Sequence, residues 1–288
     1  MQGTQCELLK QNYPCAHLSA GQLLREETLN PESPHAALIE ECLVSGKIVP
    51  VEISLALIRN AMEGTSGKSL IFLIDGFPRN FDNLEGWTQY MGDAAVVWGV
   101  LVYQCPLSIL EERVLDRAKG SGRSDDNVES LRKRFSTFEG ETVPVIDALR
   151  LIKEETLLEL VEIRGDQTLQ DVWKDTQNCM NSFIANDILA SNLQLLEAVA
   201  TSDVGLYKNL CAVEMFASEE PSRVMAAHEL GTHIGEISNA RLEFLTGKKA
   251  SLSYDRAIGN ITVHETRIWS HQGAKGWRMI HFSRNAPE

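Results

Sequence analysis

The sequence lacks the patterns that mark several classes of protein. None of its apolar runs approaches the length needed to cross a membrane, and its start shows no basic stretch followed by an apolar one, the pattern of a secretory signal. Its six cysteines, at positions 6, 15, 42, 105, 179 and 211, include no CxxC pair. They indicate reduced cytosolic thiols rather than a disulfide or zinc framework.

Basic residues are also scarce. The 288 residues include 27 lysines and arginines against 40 aspartates and glutamates, which gives a formal net charge of -13. An acidic chain has no general attraction for a nucleic-acid backbone, so each arginine is considered singly. We expect no nucleic-acid polymer and no membrane as partner, and a cytoplasmic or nuclear location. The length is enough for two globular domains.

The most informative stretch is residues 70–87, LIFLIDGFPRNFDNLEGW. The apolar, isoleucine-rich run Leu70–Ile74 predicts a strand buried on both faces of a parallel sheet. Asp75 follows at the carboxyl end of this strand, where open α/β sheets bind ligands, and a turn then presents Arg79 and Asn83. Phosphate-transfer enzymes use a carboxylate in this place to hold Mg2+, usually through water. The alternative is a purely structural strand–turn–helix junction.

Four blocks of sequence carry a resemblance to a known family. They are HLSAGQLLREE (residues 17–27), GKIVPVEIS (46–54), IDGFPRNFDN (74–83) and RAKGSGRSDDN (117–127). In this order they resemble the nucleoside monophosphate kinases, and among them the UMP-CMP kinases, over residues 3–173. The resemblance implies an α/β P-loop fold with a parallel sheet. It also implies transfer of the ATP γ-phosphate to CMP or UMP, with dCMP as a further acceptor and Mg2+ as cofactor.

The resemblance assigns an acceptor-nucleotide site. Two arginines, Arg25 and Arg79, match those that bind the monophosphate, and a guanidinium fork suits a phosphate dianion. Asn83 stands where adenylate kinases have glutamine and UMP-CMP kinases have asparagine, whose amide can serve cytosine or uracil by flipping. A solvated arginine and an asparagine in a helical first turn are the structural alternatives. The implied acceptor residues are Arg25, Lys47, Ile48, Val49, Gly76, Arg79, Asn83, Arg123 and Arg134.

A short lid is predicted between residues 117 and 127, where Gly120 and Gly122 allow it to hinge. Phosphoryl transfer needs positioning and charge neutralisation more than proton abstraction, so arginines are the expected machinery. By resemblance, the catalytic residues are Arg117, Arg123, Arg134 and Asp75, with Arg117 nearest the donor nucleotide. Three other basic residues are predicted to be solvated on helices: Arg113, Arg132 and Lys133.

The donor side departs from the family pattern. Of the loop sequence GKGTQC only residues 3–6 match, while Gln2 stands in the place of the lysine and Met1 in that of a glycine. The first strand of the family's five-stranded sheet would precede this loop. We therefore expect a truncated reading frame or an alternative start, with two ladders of the sheet left unpaired. The implied ATP contacts are Gly3, Thr4, Arg117 and Gln167. The implied Mg2+ residues, acting through water, are Asp75 and Thr4, although Thr4 serves equally well as a helix cap.

The pattern changes near residue 178. Cys179–Ala200 spaces its apolar residues as a long amphipathic helix, and a turn at Thr201–Asp203 leads into a second helix that ends near Cys211. Alternating apolar residues then predict antiparallel strands. These strands are Ser251–Ile258, Thr262–Ser270 and Trp277–Ser283.

Two segments of this region, LLEAVATSDVGLYKNLC and HETRIWSHQGAKGWRMIHFSR, resemble the association (hub) domain of calcium/calmodulin-dependent protein kinase II, a member of the NTF2-like group. The resemblance implies an α+β cone domain over residues 178–288 that forms homo-oligomers, after a kinase-like domain over residues 1–177. It does not imply protein-kinase activity, because the glycine-rich loop, HRD and DFG motifs are absent.

Charged side chains of this second region allow two interpretations. A pocket for a small anion could be lined by Arg256, Arg267 and Arg284, but strand alternation explains these arginines as well. The histidines lack a consistent metal-binding spacing and are predicted to be ordinary surface or hydrogen-bonding residues. They are His264, His271 and His281.

Two functions of different classes stay open. The first is an oligomeric UMP-CMP kinase. The second is a catalytically impaired oligomeric scaffold or nucleotide-binding protein, which the missing loop lysine favours.

Overall fold

The structure is a computed structural model that describes residues 2–65, 71–121, 128–155, 158–216, 234–272 and 275–285. The chain divides into two compact units. The first, unit 1, consists of Met1–Lys10, Cys15–Ser66 and Phe72–Cys179. The second, unit 2, consists of Gln11–Pro14, Gly67–Ile71 and Met180–Glu288.

Unit 1 alternates helices with short strands. In chain order the elements are α1 (Gln2–Asn12), β1 (Cys15–Ser19), α2 (Ala20–Thr28), α3 (Ala36–Ser45), α4 (Val51–Thr65), β2 (Ile71–Asp75), α5 (Phe81–Met91), β3 (Gly99–Gln104), α6 (Leu107–Ser121), α7 (Val128–Thr137), α8 (Val143–Glu155), β4 (Glu159–Arg164) and the first part of α9 (Leu169–Ala200). A 3-10 turn at Gly92–Ala94 and a π-helical turn at Phe138–Thr142 complete the unit.

The strands of unit 1 form two separate pairs. One two-stranded sheet contains β1 and β2, and the other contains β3 and β4. The β3–β4 pair is parallel, with Gly99 opposite Glu159 and Gln104 opposite Arg164. Among the described residues β2 is not paired with β3. The prediction of parallel pairing is confirmed, and the pairs lie in two separate sheets rather than in one.

The predicted burial of β2 on both faces is wrong. In β2 only Ile71 is buried, and the following residues as far as Asp75 are half-buried. A strand that pairs on one side only, within the described chain, has an open edge on the other side, so its side chains lack neighbours there and stay partly exposed. The apolar run from Ala94 begins its strand only at Gly99, and Val96 is 84% exposed. The register explains this, because pairing with β4 starts at Gly99.

A small helical core lies beside β1. Residues from α2, α3, α4 and the intervening loop form a buried cluster consisting of Leu24, Ile39, Cys42, Val49 and Ile53. Helix α3 ends at Gly46, whose φ of 72° lies in the left-handed region that favours glycine. This turn directs the chain into the loop that precedes α4.

A second core of unit 1 lies between α8 and the β3–β4 pair. Val145 and Leu149 of α8 pack against Leu160 of β4. Partly buried apolar side chains complete the cluster, namely Leu84, Val100, Val102 and Leu158. The two cores therefore anchor different parts of unit 1, one beside each pair of strands.

Unit 2 contains the rest of α9, helix α10 (Val204–Leu210), a 3-10 turn at Val213–Phe216 and a four-stranded antiparallel sheet. The strands are β5 (Glu236–Thr246), β6 (Lys249–Ile258), β7 (Ile261–His271) and β8 (Trp277–Arg284). They pair in chain order, as a meander. The three predicted strands correspond to β6, β7 and β8, and β5 was not predicted. The predicted helix continues without a break from Leu169, well before Cys179.

Two properties of the whole chain complete the description. No helix in the described ranges combines the length and the apolarity needed to cross a bilayer. All six cysteines lie in these ranges and each is a free thiol.

The contact between α4 and α5 depends on a glycine. A Cβ on Gly86 would lie 2.6 Å from Cγ2 of Val51 and 3.1 Å from Cδ1 of Leu55. We expect Gly86→Ala to push the helices apart and to lower the free energy of unfolding by about 1–3 kcal/mol. Urea denaturation measures this change.

Gly64, also on α4, provides the matched control. A Cβ there meets no described atom within 4 Å. Gly64→Ala should leave stability unchanged or raise it by up to about 1 kcal/mol, because alanine favours the helix. Equal effects of the two substitutions would contradict the close packing at Gly86.

Candidate functional site

The turn after β2 brings together the most informative residues of the sequence. Gly76 has a φ of 78°, and a Cβ there would lie 3.2 Å from Nη2 of Arg79. The backbone N–H of Arg79 donates to Oδ1 of Asn83 at 3.1 Å. Asn80 caps helix α5, because its Oδ1 accepts the N–H of Asn83 at 3.0 Å. The turn is therefore fixed at both ends by asparagine side chains.

Arg79 is held in place by contacts on both sides of the turn. Its Nε donates to the backbone oxygen of Gly76 at 2.9 Å. Its own backbone oxygen accepts from Oγ1 of Thr142 at 2.8 Å. The guanidinium orientation is thus set by the turn, as recognition of a phosphate requires.

Asn83 is buried, with 3% of its surface exposed. Its Oδ1 is used by Arg79, whereas its Nδ2 makes no hydrogen bond with any residue that the structure describes. A buried polar group without a partner costs roughly 1–3 kcal/mol. The amide therefore presents a donor, and it differs from the predicted freely flipping amide because its oxygen is engaged.

The remaining acceptor candidates differ in their surroundings. Arg25, half-buried on α2, directs Nη2 towards Oε1 of Gln22 at 3.4 Å. Lys47 is exposed and Ile48 is half-buried. Val49 is 4% exposed and belongs to the helical core, so its side chain packs against that core.

Of the predicted lid arginines, Arg134 has a described environment. It is half-buried on α7, which lies against the turn at Gly46. Oγ1 of Thr137, one turn further along α7, donates to the Gly46 oxygen at 3.1 Å. Arg134 thus lies next to the segment that contains Lys47. Arg123 lies outside the described residues, and Arg117 lies on α6 with a side chain that is also outside them.

The donor-side candidates are divided between two places. Gly3 and Thr4 lie in the first turn of α1, where a Cβ on Gly3 would lie 3.9 Å from Oδ2 of Asp75. Gln167 is half-buried in the loop between β4 and α9.

The loop that contains Gln167 is held at Gly165 by two hydrogen bonds. The backbone N–H of Gly165 donates to the backbone oxygen of Gln104 at 2.6 Å. The backbone oxygen of Gly165 accepts from Nη1 of Arg113 at 2.7 Å. The prediction that Arg113 is solvated is wrong, because its guanidinium orders this loop. Arg132 and Lys133 are exposed, in agreement with their prediction.

Asp75 lies in a cluster that the sequence did not reveal. Its Oδ2 is 3.5 Å from Nε2 of His17, and the thiol of Cys6 completes a group whose donor atoms all lie within 4.8 Å of one another. Oε1 of Glu7 lies 3.1 Å from Nδ1 of His17. The neighbouring Asp75 carboxylate, followed by the Cys6 thiol, raises the pKa of His17 to about 10. Spacing gave no signal for this cluster, because its members come from α1, β1 and β2.

The donors around Asp75 do not fit directly coordinated Mg2+. Mg2+ prefers six oxygen ligands, whereas this cluster offers one carboxylate, one thiol and one imidazole. Thr4, the other predicted Mg2+ residue, is exposed. Mg2+ held through water by Asp75 and Thr4 stays a prediction.

Comparison with known proteins identifies unit 1. Residues 1–153, more than half of the chain, match the adenylate kinase family. The chain belongs to the adenylate kinase family. Uridylate kinase of Saccharomyces cerevisiae is 43% identical over 179 residues, which cover 62% of this chain and 84% of that protein. UMP-CMP kinase of Sus scrofa is 51% identical over 148 residues, or 50% and 76% of the two chains. UMP-CMP kinase of Danio rerio is 42% identical over 181 residues, or 62% and 90%.

These matches confirm the resemblance to nucleoside monophosphate kinases in the first part of the chain. The adenylate kinase match ends at residue 153, so it does not reach Met180–Glu288, the main part of unit 2. The similarity of unit 2 to a hub domain stays a prediction.

Beyond the adenylate kinase match, the three arginines predicted to line a pocket converge on Glu265, which is fully buried. Oε1 accepts from Nη2 and Nε of Arg284 at 2.7 and 2.9 Å and lies 3.5 Å from Nη1 of Arg256. Oε2 accepts from Arg267 at 3.0 Å and from the Tyr254 hydroxyl at 2.8 Å. Three cations therefore share one anion.

Arg267 is the most enclosed member of this cluster. It is fully buried, with its guanidinium carbon 4.9 Å from the ring centre of Phe282 and 5.3 Å from that of Tyr254. Burial lowers its pKa to about 9. Its Nε and Nη2 make no hydrogen bond within the described chain. The arginines are thus together, as a small-anion pocket requires, but anion binding stays a prediction.

The three histidines of the sheet differ in their exposure and in their contacts. His264 and His281 are exposed, and Nδ1 of His264 lies 2.8 Å from Oδ1 of Asp255. His271 is buried and packs edge-on against Trp277, and its Nδ1 has no hydrogen-bond partner in the described part of the chain. The prediction of a surface position is therefore wrong for His271, whereas a hydrogen-bonding role through Nε2 stays a prediction.

Removing the charge of Glu265 should destabilise the sheet of unit 2. Glu265→Gln removes the charge that the fully buried Arg256 and Arg267 and the partly buried Arg284 share, so we expect the free energy of unfolding to fall by about 3–5 kcal/mol. Hydrogen exchange measured on peptides from β6, β7 and β8 reports the loss as reduced protection. Glu243→Gln, on the exposed side of β5, is the control and should change little. Similar protection in both variants would contradict the cluster.

His271 should stay neutral well below the usual histidine range. Its burial, and then the nearby cations Lys248 and Arg278, lower its pKa from 6.5 to about 4. The unfolded chain binds this proton at higher pH than the folded chain does. The stability contribution of the neutral ring is therefore full above pH 6.5 and falls as the pH drops towards 4. An NMR titration of the His271 ring tests this, and an apparent pKa near 6.5 would refute it.

Proposed function

We propose that unit 1 binds a pyrimidine nucleoside monophosphate at the turn after β2 and transfers the γ-phosphate of ATP to it. The observation that carries the proposal is the pairing of two groups in this turn. Asn83 has a buried amide donor without a described partner and accepts the backbone N–H of Arg79, whose guanidinium is oriented by the Gly76 oxygen. The names of the relatives, uridylate kinase and UMP-CMP kinase, favour CMP and UMP as acceptors.

The base and the phosphate are recognised by different groups. Nδ2 of Asn83 donates to a ring-edge acceptor, and both cytosine and uracil carry such an oxygen. Arg79 binds the phosphate with its planar fork, and Arg25 adds a second guanidinium on α2. Helix α5 begins at Phe81, two residues after Arg79, so its N-terminal dipole also favours an anion here.

The transfer step depends on neutralising charge rather than on a general base. Arg134, next to the turn at Gly46, is proposed to move towards the transferring phosphoryl group together with Arg117 and Arg123. Once they surround this group, the guanidinium groups stabilise the charge of its equatorial oxygens as it passes between the two nucleotides. ATP is proposed to lie against Gly3, Thr4 and Gln167.

Oligomer formation and location extend the proposal. We infer that unit 2 forms homo-oligomers, on the grounds of its hub-like sequence segments and its four-stranded antiparallel sheet after a long helix. Light scattering of the full chain tests this. A monomer at micromolar concentration would contradict it. The proposed location is the cytoplasm or the nucleus.

A second candidate function is nucleotide binding without transfer. Gln2 favours it, because its neutral amide stands where the family has a lysine that reaches the β- and γ-phosphates. The acceptor groups on Asn83 and Arg79 are intact in either case. Binding and turnover therefore have to be measured separately.

Arg79→Lys tests the acceptor site. Lysine cannot reproduce the guanidinium fork, and a charge-assisted hydrogen bond contributes about 1.5–3 kcal/mol, so CMP should bind roughly 10–100-fold more weakly. Cytidine, which lacks the phosphate, should bind the variant and the original chain equally. Titration calorimetry measures both ligands.

The matched control is Arg59→Lys, an exposed arginine whose Nε contacts Glu63 at 3.0 Å. It should leave CMP affinity unchanged. If Arg79→Lys bound CMP as well as the original chain does, the proposed phosphate site would be wrong. A coupled assay of ADP formation from ATP and CMP then separates the two functions, since binding without turnover supports the second.

A further inference from the structure

The cluster around Asp75 has the geometry of a metal site that the kinase chemistry does not require. It contains one sulfur, one nitrogen and one oxygen donor, from Cys6, His17 and Asp75, all within 4.8 Å of one another. The side chains of His17 and Asp75 are only 11% and 15% exposed. Three different ligating groups from α1, β1 and β2 are thus brought together in a largely enclosed place.

His17 is oriented as a metal-binding histidine is. Its Nδ1 faces Oε1 of Glu7 at 3.1 Å, while its Nε2 faces the cluster. This Nε2 is buried and makes no hydrogen bond of normal geometry with any described residue. A carboxylate on one ring nitrogen, with the other nitrogen directed at the metal, is the usual arrangement in zinc sites.

We propose that Cys6, His17 and Asp75 bind a thiophilic divalent metal ion of the zinc class, with Glu7 positioning His17. Tetrahedral zinc with bonds of about 2.0–2.3 Å separates its donors by roughly 3.3–3.8 Å, so the cluster contracts slightly on binding. The thiol proton, and the imidazole proton where present, pass to solvent as the bonds form. Three protein ligands leave a fourth position for water.

The donor set decides the class of metal. Thiolate and imidazole select zinc and its neighbours, whereas Mg2+ requires oxygen ligands. The cluster therefore discriminates against the ion expected in phosphoryl transfer. Occupancy would also engage Asp75, so zinc should inhibit transfer. This last consequence rests on the proposed function, whereas metal binding itself does not.

Cobalt(II) is the probe, because a thiolate ligand gives it a near-ultraviolet charge-transfer band. The full chain, reduced with a phosphine, should develop this band on titration with Co2+, and equimolar Zn2+ should remove it while excess Mg2+ should not. Cys6→Ser should abolish the band. Glu7→Gln should keep the band but weaken binding about 10–100-fold, as loss of a group that positions a ligand does.

Cys105→Ser is the matched control, since Cys105 is half-buried like Cys6 but lies outside the cluster. It should keep the band at unchanged affinity. A band that persists in Cys6→Ser, or that Mg2+ removes, would overturn the proposal.

A measurement on the unmutated chain covers the case in which Cys6→Ser fails to fold. Zn2+ should protect Cys6 from iodoacetamide, as mapped by peptide mass, while Cys105 and Cys179 react at the same rate with and without zinc. Unchanged alkylation of Cys6 in saturating Zn2+ would refute the site. ADP formation plays no part in either readout, so failure of the kinase proposal would leave the result interpretable.

Discussion

The candidate kinase site depends on one hydrogen bond, from the backbone N–H of Arg79 to Oδ1 of Asn83. It joins the start of α5 to the turn that leaves β2, and it is shielded from water because Asn83 is buried. The left-handed Gly76 lets the turn close over the Arg79 side chain. The positions of the Arg79 guanidinium and of the Asn83 amide, for which we propose binding of the phosphate and of the base, are therefore set by the same few atoms.

The two units deal with buried charge in different ways. In unit 2, Glu265 is fully buried and accepts hydrogen bonds from arginines and a tyrosine. Such bonds offset the cost of removing the carboxylate from water. The aromatic faces of Tyr254 and Phe282 lie against Arg267, and these cation–π contacts reduce the cost of burying the charge of Arg267. In unit 1, by contrast, Arg79 and Arg134 are half-buried, which leaves them within reach of a solvated ligand.

The spacing of apolar residues correctly predicted the elements that depend on contacts between residues close together in the sequence. Alternation along β6, β7 and β8 gave those strands, and the helix–turn–helix at Ala200–Val204 followed from its apolar spacing. The burial of β2 was overestimated because burial depends on pairing with distant strands, which a short apolar run does not specify. For the same reason Cys6 and His17 gave no signal, since only the folded chain places them beside Asp75.

Asp75 shows how tertiary contacts change the chemistry expected of a motif residue. In the sequence it is a carboxylate at a strand end, which favours a cation held through water. In the structure an imidazole lies 3.5 Å away, and its raised pKa of about 10 means that it carries a proton at neutral pH. That positive charge neutralises the carboxylate and weakens its attraction for a distant hard cation. A metal that bonds directly to Nε2 must instead displace the proton, so proton and metal exclude each other at the same nitrogen.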